Sequence, residues 1–113
     1  MRRVMDGETV YVAVLNEPAT DRFNNEVHSW ATPVEVEHVL VSEATDDDQT
    51  ATRPYGITCV YTMAFRYDCD IEMRGAKVTV RGRELLVAGS PTHGPRLQAN
   101  PYNMTVRAGV EDG

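Results

Sequence analysis

Hydrophobic and polar residues alternate along most of this chain, and each alternating run predicts a β-strand. In "ETVYVAVL", Val10, Val12 and Val14 share one face. "PVEVEHVLVSE" begins with Val34 and Val36 inward and changes phase at His38 to Val39 and Val41. One extra residue in a β-bulge produces such a phase change, and bulges are frequent where sheets curl into barrels. "ITCVYTMAFRY" sets Ile57, Cys59, Tyr61, Met63, Phe65 and Tyr67 against Thr58, Val60, Thr62, Ala64 and Arg66. Apolar residues on both of its faces mark it as a central strand. In "AKVTVRGRELLV", Ala76, Val78 and Val80 point inward while Lys77, Thr79 and Arg81 point out. A two-residue loop at Gly82-Arg83, with glycine first, suits a type II′ turn. That turn would set Val80 opposite Leu85 in the core and Arg81 opposite Glu84 in solvent. "NMTVRAGV" closes the series with Met104, Val106, Ala108 and Val110. No segment shows a helical period. Six strands and no helix to cover a sheet predict an all-β fold: a small antiparallel β-barrel of about six strands with long inter-strand loops.

The segments between strands are long. Asn16 to Thr32 joins the first and second strands, with Asn24-Asn25 suited to the positive φ of a tight turn. Ser42 to Gly56 joins the second and third, and Ser90 to Tyr102 joins the last two. Loops of this length in a compact domain are usually functional or disordered. At 113 residues the chain makes one domain, residues 1–113, with a small core. Its 17 Asp and Glu against 11 Lys and Arg give a net charge of −6, which argues against wrapping nucleic acid by phosphate neutralisation. No apolar run reaches the length of a membrane-spanning helix, and "MRRVMDGETV" has no apolar core of a secretory signal.

Candidate chemistry is sparse. Asp46, Asp47 and Asp48 are consecutive, whereas a calcium loop alternates its acids and places a glycine at the sixth position. A solvated acidic loop tip is the simpler reading. His28, His38 and His93 lie on three segments, without metal-type spacing, and nothing around Ser29 resembles a nucleophile elbow. Trp30, at the end of a polar loop, is expected to close one end of a barrel. Cys59 and Cys69 are too few for a disulfide framework and are read as reduced thiols. No dinucleotide fingerprint, phosphate loop or CxxC pair is present. No enzyme, cofactor or metal is expected.

The second half of the chain carries a more specific order of motifs. Arg53-Pro54-Tyr55-Gly56 leads into Val60-Tyr61-Thr62-Met63-Ala64-Phe65, then Met73-Arg74-Gly75. Val78-Thr79-Val80-Arg81-Gly82-Arg83, Gly89-Ser90-Pro91 and Tyr102-Asn103-Met104-Thr105-Val106-Arg107 complete it. In this order the chain resembles the head-to-tail stopper (head-closure) proteins of tailed phages infecting actinobacteria. The first half matches more loosely, through "DRFNNEVHSW" and "PVEVEHVLV". The chain departs from the family at Arg66-Tyr67, where Pro-Lys is common, at Asn24, where glycine is common, and at Tyr102, where tryptophan is common.

The resemblance implies a structural protein of the virion neck, assembled in the host cytoplasm. Its members are small β-barrels that form a ring, twelve-fold if it follows the portal. The portal and adaptor lie above it and the tail terminator or tail tube below, with packaged DNA in the channel bound without sequence specificity. The segment from Ser42 to Gly56 is then the expected channel or gate loop, with Glu43, Thr45, Asp46, Asp47, Asp48, Thr50 and Thr52. Its acids would repel DNA, and its β-prone threonines would let adjacent copies pair as short strands. The hairpin of Val78, Val80, Arg81, Gly82, Arg83 and Leu85 would be the rigid frame. A tail-completion or tail-terminator ring protein is the nearest alternative, and a monomeric small-barrel binding module the alternative from another class.

Overall fold

The computed structural model describes residues 7–66, 69–93 and 102–112. Its strands are β1 (Glu8–Ala13), β2 (Ala19–Thr20), β3 (Glu26–Val27), β4 (Val34–Glu43), β5 (Ile57–Phe65), β6 (Lys77–Val80), β7 (Arg83–Val87), β8 (Thr92–His93) and β9 (Met104–Glu111). One helix, α1 (Asp46–Thr52), runs into a 3-10 turn at Arg53–Tyr55.

Six strands pair antiparallel in the order β5-β4-β1-β6-β7-β9, and β9 returns to β5 to close a barrel, with β8 added along β9. Closure removes the unpaired edges that an open sheet of this size would expose. The expected six strands are the six staves. The inward positions form one core, in which Val10, Val12, Met63, Phe65, Ala76, Val78, Val80 and Ala108 are all fully buried. β5 lies between β4 and β9, the central place its two apolar faces predicted. Tyr67, expected on its inner face, lies outside the described residues.

Two bulges bend the staves. His38 has φ 61°, and there β4 takes three steps, Val39 to Val36, against the two from Glu8 to Val10 on β1. This is the phase change read from the sequence. Val34, expected inward, sits at the end of its strand and is exposed. The second bulge lies on β5, where Cys59 pairs with Gly109 and Tyr61 with Ala108. The β5 backbone there presses against β9 so closely that a Cβ on Gly109 would lie 1.9 Å from the Thr58 carbonyl oxygen.

The β6–β7 hairpin forms, but its turn is Arg81-Gly82, not Gly82-Arg83. Val80 pairs with Arg83, Thr79 with Glu84 and Val78 with Leu85, so the expected pairs Val80–Leu85 and Arg81–Glu84 do not occur. Both turn residues have positive φ, 51° at Arg81 and 79° at Gly82, which is the type I′ arrangement that matches strand twist. The register differs from the expected one by two positions in the sum of partner numbers. Parity is therefore kept, and Val78, Val80, Leu85 and Val87 still face the core. Arg81, instead of meeting Glu84, forms a two-pronged pair with Glu8, at 2.9 and 2.5 Å.

Candidate functional site

Three segments outside the staves bear on function. The first is the expected gate loop, which is not a loop. Residues 46–52 form α1, capped by Thr45: its hydroxyl accepts from the Asp48 N–H at 3.2 Å, and Asp48 Oδ2 accepts from the Thr45 N–H at 2.8 Å. This is a capping box with aspartate in the place of the usual glutamate. The signal was present in "TDDD", a threonine followed three residues later by an acid, with acids through the first turn where the helix dipole favours them. Thr50 and Thr52 therefore lie in a helix and not in an extended strand, and the short-strand pairing between copies has no basis in this segment.

α1 is strapped to the outer wall of the β5–β9 seam. Arg107 Nε donates to Asp48 Oδ1 at 2.7 Å, and Gln49 Nε2 donates to the Cys59 carbonyl at 2.6 Å. Asp48 and Thr52 are buried, whereas Glu43, Thr45, Asp46, Asp47 and Thr50 are exposed. Of the three aspartates read as a solvated tip, one is structural. Burial pushes the Asp48 carboxyl up, but the Thr45 backbone N–H and the Arg107 guanidinium outweigh it and hold it at about 2. Burial, followed by the charge of Asp48, pushes the Cys59 thiol up, and its side chain is buried in the core.

The second is a pocket of about 400 Å³. Ile57 and Val87 line it together with Tyr55, whose ring lies against the bare backbone of Gly89. Gly89 has φ 69°, and a Cβ there would meet the Tyr55 ring at 2.7 Å, so only glycine lets the ring stand in this position. Arg74 also lines it, its Nε and Nη2 donating to Ser90 Oγ at 3.0 and 2.8 Å. Three motifs that lie apart in sequence, Arg53 to Gly56, Met73 to Gly75 and Gly89 to Pro91, supply most of this lining. Each motif stands out in the sequence, but their meeting does not, since closure of the barrel is what joins them.

The third segment is the first long connection, Asn16 to Thr32. It is a hairpin arm, with Ala19 paired to Val27 and Thr20 to Glu26. Asn24, at φ 66°, turns its tip as the sequence suggested, and Asp21 Oδ1 accepts from the N–H groups of Phe23 and Asn25 at 2.8 and 2.9 Å. Every residue from 16 to 29 is exposed. The base is fixed: Leu15 bridges Trp30, and Trp30 Nε1 donates to the Gly75 carbonyl at 2.9 Å. The Lys77 ammonium sits 3.9 Å above the centre of the Trp30 ring. Trp30 is thus the anchor of the arm on the outer wall, and not the expected plug of a barrel end. The third long connection, Ser90 to Tyr102, contains β8, and its residues 94–101 lie outside the described residues.

No family model matches this chain, and no curated protein matches it. Among solved structures it is similar to the solution structure of protein SF1141 from Shigella flexneri 2a. The TM-score is 0.59 at 14% identity, over 100% of this chain and 97% of that chain. At that identity the likeness carries the fold alone.

Proposed function

We propose that the protein is a structural component of a phage neck, a ring-forming head-to-tail stopper that joins the portal and adaptor to the tail and retains packaged DNA. The observation that carries this reading is the meeting of the Arg53–Gly56, Met73–Gly75 and Gly89–Pro91 motifs in one pocket. These motifs carry the resemblance to stopper proteins, and their meeting on one surface feature is what a shared contact surface would require. A barrel with one seven-residue α-helix among the described residues supports the stopper over the tail-terminator alternative, in which helices flanking a sheet are expected.

In this reading the ring surrounds the DNA channel, and the exposed acids Glu43, Asp46 and Asp47 present like charge to DNA, so that the wall does not capture phosphates. Asp48, Thr45 and Thr52 hold the helix in place instead of touching the channel. Association is conditional: isolated copies are monomers at low concentration, and the portal–adaptor template raises the local concentration until the ring forms. Cryo-microscopy of the neck of virions carrying this gene tests the proposal. A ring of small barrels between adaptor and tail is expected, and a neck without this density overturns it.

A further inference from the structure

The arm and the pocket are complementary, and the fold keeps them apart within one copy. The arm presents Phe23 at its tip, 69% exposed, with the Arg22 guanidinium 4.8 Å from the centre of its ring. An exposed aromatic at a hairpin tip is available to a partner, and isolated two-stranded hairpins are marginal. This one is nevertheless preorganised, by the Asp21 turn at its tip and by Trp30 at its base. Preorganisation lowers the entropy lost on docking.

The pocket offers what the tip lacks. Its lining combines the apolar Ile57 and Val87, the aromatic Tyr55 and the cationic Arg74. The Arg74 guanidinium meets the Ser90 hydroxyl, while the nearby Glu72 carboxylate is held by the Arg74 backbone N–H at 3.0 Å and not by the guanidinium. Arg53, exposed and two residues before Tyr55, adds positive charge on the same turn. The arm carries three carboxylates, Glu17, Asp21 and Glu26, against the single guanidinium of Arg22. Two other grooves among the described residues suit it less. The one beside Trp30 holds Glu84 and Glu111 with Lys77, and the one beside Phe65 holds Glu35, Glu37 and Asp70 with Arg66.

An arm cannot reach the pocket of its own copy. Gly75, which lines the pocket, also packs against Leu15 at the base of the arm, where a Cβ on Gly75 would meet Leu15 Cδ2 at 2.7 Å. From Asn16 to Phe23 the chain runs outward by roughly 20 Å at strand rise. The tip therefore lies about one barrel width from the pocket beside its own base. We infer that the arm of one copy seats Phe23 in the Tyr55–Arg74–Ser90 pocket of a second copy of this chain, with the arm's carboxylates facing Arg74. The contact is heterologous, so repeating it builds a ring when the rotation closes. It deepens the ring reading proposed above and rests on it only for the number of copies.

Two variants separate the halves of the contact. Phe23→Ala leaves the pocket and removes the tip, and Arg74→Glu leaves the tip and reverses the charge at the pocket. Both residues are exposed, and unchanged amide spectra away from the two sites confirm folding; Arg74→Gln replaces Arg74→Glu if its spectrum is altered. The wild-type chain is expected to self-associate as concentration rises to about 1 mM, where a millimolar contact is half formed. Each variant alone should associate at least tenfold more weakly. Mixing 15N-labelled Phe23→Ala with unlabelled Arg74→Glu should restore a one-to-one pair and move the amide signals of Tyr55, Gly89 and Ser90. Added salt should weaken that pair. The inference is overturned if the mixture leaves those signals in place, if shifts fall on the Trp30–Lys77 groove instead, or if both variants associate as the wild type does. If the pair forms but virion necks lack the ring, the arm contact stands and the neck reading fails. If the ring is present but its arms lie elsewhere, the neck reading stands and the arm contact fails.

Discussion

Asp48 shows how one side chain can tie a helix to a barrel. Its carboxylate serves both the cap of α1 and Arg107 on β9. Its folded pKa of about 2 lies below the ordinary value of 3.8, so the group contributes stability that is present above that ordinary value. That contribution fades as pH falls from about 4 to about 2, and integrates to about 2 kcal/mol. Denaturant unfolding of Asp48→Asn against wild type should show a gap of that order at pH 7 that closes by about pH 2. A gap independent of pH would mean that shape, and not charge, makes the contact. Gly109 works through space instead. A methyl group there collides with the Thr58 carbonyl, and neither backbone can retreat without opening the β5–β9 seam. Gly109→Ala should therefore cost about 3 kcal/mol or more, read from its urea midpoint.

At the scale of elements, turns and caps decide what alternation leaves open. Gly82 faces open space, so its role is conformational alone. Gly82→Ala should cost about 1 kcal/mol through its positive φ, whereas Gly82→Asn, which tolerates that φ, should be nearly neutral. Equal losses for the two would place the turn elsewhere. The Arg81-Gly82 turn was legible as a turn but not in its register, because glycine suits the first position of a II′ turn as well as the second of an I′ turn, and the latter also needs the positive φ that Arg81 adopts here. Right-handed strand twist and the Glu8 partner waiting for Arg81 are tertiary facts. α1 was missed for a related reason. A seven-residue helix shows too little period to read, and its threonines have strand propensity; the cap and the wall of β5 and β9 overrule that propensity.

The whole molecule is a closed barrel with an appendage, and the two should be separable. Replacing residues 17–28 by a short glycine linker should leave the barrel folded within about 1 kcal/mol, since no buried residue leaves and loop entropy changes slowly with length. A far-ultraviolet circular dichroism melt and an amide spectrum check this, and a collapsed spectrum would show the arm to be part of the fold. The same truncation should abolish self-association if the arm carries it, which ties the stability measurement to the contact between copies.

Several features follow from the order of residues alone: six strands, their inward faces except at the exposed strand-end residues Val34 and Val110, the bulge at His38 and the turn at Asn24. Each of them depends on local φ preference or on period two, and both are properties of a short stretch read by itself. Tertiary structure decided which strands became neighbours, that Asp48 was an anchor while Asp46 and Asp47 were not, and that Trp30 held an arm. It also brought Tyr55, Arg74 and Gly89 to one pocket. Those outcomes depend on the stagger with which β9 returns to β5, and that stagger is set by the twist and bulges of all six strands together. A residue's neighbours along the chain carry no record of it.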